Sequence, residues 1–197
     1  MKTNLKNKGL LVILGMLVMG YTTAIEPIVK IAGNKKIVLK LAKVSENSEL
    51  SIKDLSGFTF YSEILEKSDE ACTKKFDLST LPDGNYVVEI NVPLKVISFP
   101  FIIVSDRIPV DFVEGIETYK PVFVEKEGKV YVSKYNPEFA SLNLTILDKD
   151  FNVVYNETFK GQSDLLGVYD FSNAKGEFTI AMQEDNKTYT QLISIKE

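Results

Sequence analysis

The sequence predicts an all-β protein built as two tandem antiparallel sandwiches behind an N-terminal export signal. Three observations predict it. The chain carries one strand–corner–strand unit twice, its apolar residues alternate over short runs between turn residues, and no segment shows the apolar period of a helix. The first unit is Phe76 to Ile90, where Asp77-Leu78-Ser79-Thr80-Leu81-Pro82-Asp83-Gly84 makes the corner. Its echo, Tyr169 to Ile180, keeps the order with one corner residue deleted.

At the start of the chain Lys2, Lys6 and Lys8 precede the apolar run Leu10 to Met19, and Tyr21-Thr22-Thr23-Ala24 follows it. That order reads as a secretory signal over residues 1–24, cleaved before Ile25. The run falls short of the roughly 20 apolar residues that span a bilayer. Cleavage removes three of the 23 basic residues, leaving 20 against 27 acidic ones and a formal charge of −7. Such a surface repels nucleic acid and offers no basic patch to anionic lipid. Cys72 is the single cysteine, so no intramolecular disulfide can form, and its position suits a small buried apolar residue.

The first module is expected over residues 25–104. Ile28 to Ile31 and Lys36 to Leu41 flank Gly33-Asn34 as a hairpin. Leu50 and Ile52, then Phe58 and Phe60, alternate on the next two strands, joined through Asp54-Leu55-Ser56-Gly57. Phe76 and Leu78, then Tyr86, Val88 and Ile90, lead round the corner to Phe99, Phe101 and Ile103, with Pro100 pushing the last strand toward an edge or a bulge. These are seven short strands, as a sandwich requires.

A displacement of 94 residues maps Pro27, Lys35, Val38, Lys40, Leu50, Ile52, Asp54, Tyr61 and Glu63 onto identical residues from Pro121 to Glu157, with no gap. Turn signals and alternation coincide as well, which makes the module a duplication. The second module, residues 121–197, is expected to run Pro121–Glu125, Lys129–Lys134, Leu142–Leu147, Asn152–Glu157, Val168–Ser172, Glu177–Met182 and Tyr189–Ile195. Its second strand is open in register: either Val130 and Val132 or Tyr131 and Ser133 face inward. Residues 105–120 form the connection, with Ile108, Val110, Phe112, Val113, Ile116 and Tyr119 apolar, so a packed linker is expected.

Histidine is absent, which removes Ser-His-Asp and Cys-His nucleophile systems and the commonest metal ligand. No phosphate-binding glycine loop occurs. Asp148-Lys149-Asp150-Phe151-Asn152 has the spacing that opens a calcium loop, but Val153 stands where glycine is needed. Its counterpart Asp54 to Phe58 is an Asp-capped turn, so no metal and no cofactor are expected. Asn143, Asn156 and Asn186 begin Asn-x-Thr sequons. Most Phe and Tyr fall on inward positions; Tyr119, Tyr135 and Tyr189 are exceptions.

The corner Leu78-Ser79-Thr80-Leu81-Pro82-Asp83-Gly84-Asn85-Tyr86, and Leu142 to Tyr155 with Asp148 in the turn, resemble secreted bacterial Ig-like β-sandwich modules. That group includes the C-terminal sorting domains of type IX secretion and small secreted sandwich domains of Gram-negative bacteria. The resemblance implies two Ig-like or fibronectin-III-like sandwiches and a place in the periplasm or on the cell surface. The second copy departs from it by carrying Phe178 where the corner has tyrosine.

The expected function is therefore that of an exported, non-catalytic binding or assembly module whose partner is another envelope or extracellular protein. The alternatives are a carboxylate-based hydrolase at the cleft between modules and a type IX cargo or surface-anchored subunit. Binding is expected along the second module's last strand, at Tyr189, Gln191 and Ile193, because Pro100 blocks pairing in the first module while no proline interrupts Tyr189 to Ile195. Gly84 and Gly176, the recurring corner glycines, are expected at positive φ.

Overall fold

A computed structural model describes residues 27–112, 114–185 and 187–195; the signal segment and the sequon at Asn186 lie outside them. The described chain divides between Thr118 and Tyr119 into two compact units.

The first unit contains β1 (Ile28–Gly33), β2 (Lys36–Leu41), β3 (Ser48–Asp54), β4 (Thr59–Leu65), β5 (Cys72–Asp77), β6 (Gly84–Asn91) and β7 (Lys95–Ile103). Strand β8 (Ile116–Tyr119) extends beside β7. One sheet is ordered β1-β2-β5 and the other β4-β3-β6-β7-β8, with antiparallel pairing among the first seven strands. Alternation places Ile37, Leu39 and Leu41 of one sheet against Leu50, Ile52, Val88, Ile90, Ile97 and Phe99 of the other. Cys72 is half-buried and packs on this core. Residues 105–118 belong to this unit: Ile108 is buried with its N–H donated to the Asn34 carbonyl, and the Phe112 ring packs tilted against Phe101, 5.5 Å between centroids.

The second unit contains β9 (Val122–Lys126), β10 (Lys129–Tyr135), β11 (Leu142–Asp148), β12 (Val153–Phe159), β13 (Asp164–Asp170), β14 (Gly176–Glu184) and β15 (Lys187–Ile195). Its sheets are ordered β13-β10-β9 and β12-β11-β14-β15. The first seven strands of each unit thus repeat one plan, three strands against four, with strand order 1-2-5 and 4-3-6-7. That is the fibronectin-III arrangement of a β-sandwich, the all-β class expected from the sequence.

The two corners repeat atom for atom in their ties. Asp77 accepts the Ser79 N–H and Asp170 that of Ser172; Leu78 donates to the Lys35 carbonyl and Phe171 to that of Gly128. Tyr86 donates from its hydroxyl to the Pro82 carbonyl at 2.8 Å, a bond Phe178 cannot make. A bulge recurs too, after Ile52 in β3–β4 and after Ile146 in β11–β12.

Several expectations are corrected. Gly84 does not take a positive φ: it lies under the Tyr86 ring, where a Cβ would stand 3.4 Å from the hydroxyl, whereas Gly176 has φ +102°. Phe58 and Phe60 do not alternate into the core but are 62% and 42% exposed, because the bulge breaks the period and β4 begins only at Thr59. The fifth strand of the second copy starts at Asp164, not Val168. Its Gly167 is the cradle for the Tyr169 ring; a Cβ there would meet that ring at 2.8 Å.

The repeat also needs gaps. Paired to Tyr169, Val130 corresponds to Ile37, which pairs with Phe76. Val132 then corresponds to Leu39 and Lys134 to Leu41, one residue off the ungapped alignment. Val130 and Val132 are the inward pair. Lys134 follows them inside, 3.1 Å from Glu184 and donating to the Tyr119 carbonyl at 2.7 Å. In the first unit the same two places hold Leu41 and Val92.

Candidate functional site

A β-strand binds a partner most generally through main-chain groups that its own sheet leaves unpaired, which places candidate sites at the sheet edges. Among the described residues eight strands lie at edges, and seven carry a protective feature. Bulges interrupt β1, β4 and β12. Lys74 and Lys75 charge β5, Glu125 and Lys126 charge β9, and Asp164 and Asp170 bracket β13. Strand β8 has four residues and carries Glu117. Strand β15 has only Lys187, at its first position, and nothing of this kind beyond it. It pairs with β14 over nine residues without a register shift, and from Thr188 to Ile195 it has no charge, proline or glycine.

The corresponding strand of the first unit, β7, is closed over. Strand β8 lies beside it, and Gly115 sits so close that a Cβ would meet Ile97 at 2.6 Å and Phe99 at 2.8 Å. Register places Tyr189 where β7 has Ile97 and Gln191 where it has Phe99. A polar side chain thus replaces the phenylalanine at an edge that no described strand covers.

The three residues expected from sequence share the inward row of β15. Ile193 is 1% exposed and belongs to the core, so its side chain is withheld from a partner. Tyr189 is half-buried; its hydroxyl is enclosed without a hydrogen-bond partner, and burial, then the charge of Glu184, push its pKa up. Gln191 is exposed and donates to the Leu192 carbonyl at 3.0 Å. The outward row is Thr188, Thr190, Leu192 and Ser194, of which Leu192 and Ser194 were not singled out by sequence; Leu192 is 60% exposed. The signal for it was present in the alternation, since fixing Ile193 inward fixes Leu192 outward.

The rest of that sheet's outer surface is uncharged across two full rows. Thr158, Asn143, Gln183 and Thr188 lie side by side, as do Asn156, Thr145, Ala181 and Thr190. Asn156 donates to Asn143 at 2.9 Å and to Thr145 at 2.8 Å. The same face of the first unit carries Glu49, Lys53 and Glu89, with a Lys53–Glu89 ion pair at 2.6 Å.

Groups suited to other chemistry are held in structural roles. Asp148 Oδ1 accepts the Asp150 and Asn152 N–H groups, as Asp54 accepts those of Ser56 and Phe58, so the calcium-like spacing is a turn cap. Among the described residues no cluster of three or more metal-ligating side chains occurs. The carboxylates with clearly displaced pKa values, Asp77 to about 2 among them, are held low by hydrogen bonds, opposite to the elevation a general acid needs. Tyr119 and Tyr135 meet edge to face at 4.9 Å. A groove of about 320 Å³ in the first unit is lined by Ile28, Ile97, Phe99, Asp111, Glu114 and Glu117, with Glu117 paired to Lys95.

No known protein family matches the chain, and no curated protein sequence matches it. Solved structures do. The BSP domain of a biofilm-associated protein is 13% identical with a TM-score of 0.28 over 87% of this chain, which spans 29% of that one. A two-domain fibronectin type-III segment of chicken tenascin is 7% identical with a TM-score of 0.32, covering 86% of this chain and 98% of that one. The FN1–FN3 domains of chicken CNTN1 are 10% identical with a TM-score of 0.28, covering 86% and 67%. Similarity this low concerns the fold alone.

Proposed function

We propose that this chain is an exported, non-catalytic binding or assembly protein of a Gram-negative envelope or cell surface, and that it receives a partner's strand on β15. The observation that carries the reading is the contrast between the two last strands: β7 has β8 beside it, while β15 keeps eight consecutive ladder positions, Thr188 to Ile195, free of any feature that repels a strand. Main-chain hydrogen bonds supply the affinity in this mode and place few demands on side chains. The signal over residues 1–24 supports export, and the acidic surface supports a protein partner over nucleic acid.

Fractionation and N-terminal sequencing test the first part: the exported protein should begin at Ile25. Envelope pull-downs with the wild type, Leu192→Lys and Gln191→Pro test the second. Leu192→Lys puts a charge on the outward face of an edge while leaving the core untouched. Both variants should lose the captured envelope protein; capture at unaltered affinity rules β15 out as the site.

A further inference from the structure

We infer that the strand received by β15 is β15 of a second copy, so that two chains join their four-stranded sheets, β12-β11-β14-β15, about a two-fold axis. This rests on the strand-addition reading above and names its partner. The first argument is electrostatic. Two identical surfaces of an acidic chain ordinarily repel, yet between Thr188 and Ile195 there is no charge to oppose its own image. Lys187 is the single charged residue of the strand. In an antiparallel pair centred on Gln191 it faces Ile195, and the two lysines stand roughly 27 Å apart at about 3.4 Å per residue. That exceeds the Debye length of about 8 Å at physiological salt several-fold.

The second argument is selectivity. Recognition of a different protein is normally steered by complementary charge. The outward residues Thr188, Thr190, Leu192 and Ser194, and the rows of Asn, Gln and Thr behind them, offer no charge for a foreign partner to match. They do match themselves: pairing centred on Gln191 sets Thr188 of one copy opposite Ser194 of the other, a pair that stabilises a sheet, and Thr190 opposite Leu192 with no charge between them. The third is closure. A two-fold contact between like edges consumes both, leaving no free copy of β15 and no route to an open fibre.

The test uses the full chain after export. Sedimentation over a wide concentration range should show a monomer–dimer equilibrium, and Leu192→Lys should shift the midpoint at least tenfold toward monomer. In a Cys72→Ser background, cysteine placed at Gln191, which faces its own copy in this register, should give an oxidised dimer, whereas cysteine at exposed Thr158 on the far edge should not. Hydrogen exchange over β11 and β14 reports whether each variant is folded. A chain that stays monomeric at every concentration, while its envelope capture is lost in Leu192→Lys, overturns self-pairing and leaves strand addition to another protein. A dimer indifferent to Leu192→Lys and Gln191→Pro overturns self-pairing through β15. Wild-type capture and mass in both variants overturn this inference and the reading beneath it together.

Discussion

Replacing Lys134 and Glu184 together, by the residues the first unit uses, should leave the second unit as stable as before or more so, while replacing either alone should nearly unfold it. Lys134 has 1% of its side chain exposed and Glu184 11%, so both charges have left water. At 3.1 Å and an effective dielectric of about 20, their attraction is roughly 5 kcal/mol. Desolvation costs several kcal/mol for each ion, so the pair is close to balance. Removing one partner keeps a desolvation cost without the attraction, a loss of about 3–5 kcal/mol. Lys134→Leu and Glu184→Val should each approach that loss. The double variant recreates Leu41 and Val92, which fill the same places over the first core, and should lie between unchanged and about 4 kcal/mol more stable. Urea unfolding of the full chain gives the free energies, and hydrogen exchange in Lys129–Tyr135 and Gly176–Glu184 localises them. The reasoning fails if either single variant costs under about 1 kcal/mol, the median for an exposed pair, or if the double variant is as damaged as the singles.

Two further outcomes follow from the same unit. Gly167→Ala should destabilise it by about 1–3 kcal/mol, since the new Cβ would overlap the Tyr169 ring and its hydroxyl at 2.8–2.9 Å; an unchanged urea midpoint would show that the ring simply moves aside. Stability should also fall in alkali. Tyr155 is raised to about 12, by burial first and then by its bond to Glu157, and burial raises Tyr169 as well. Unfolded tyrosines ionise near pH 10, so this contribution is complete below pH ~10 and is lost as pH climbs toward about 12. Urea unfolding at a series of pH values, with tyrosinate absorbance as the titration signal, checks it; a flat stability between pH ~9 and ~11.5 contradicts it.

Alternation made most of this architecture readable. Leu50, Ile52, Val88 and Ile90 declared their sheet because nothing else interrupts a two-residue period. What escaped depends on contacts between distant residues. Lys134 in a strand reads as solvated, and the partner that keeps it inside, Glu184, lies far along the chain. Gly167 has its reason only in the Tyr169 ring above it. Phe60 reads as core because a bulge leaves no mark on composition. At the candidate site the strand was legible but its facing was not: Tyr189, Gln191 and Ile193 are the inward row, and only Ile193's burial fixes that. The unguarded state of β15 emerges from comparison with seven other edges, which requires the sheet order.

The aspartate caps at Asp54 and Asp148 bear on how two related modules fold on one chain. Tandem copies risk exchanging strands while both are still incomplete. Each cap bonds to N–H groups no more than four residues away, so it closes a loop of small entropic cost. Hairpins of this kind form within about 1–10 μs, long before distant strands meet. The β3–β4 and β11–β12 hairpins therefore commit each copy to itself at the outset. The turn is shared while the cores differ, Leu41 and Val92 in one copy standing where Lys134 and Glu184 stand in the other, so early local closure separates two copies whose strands could otherwise exchange.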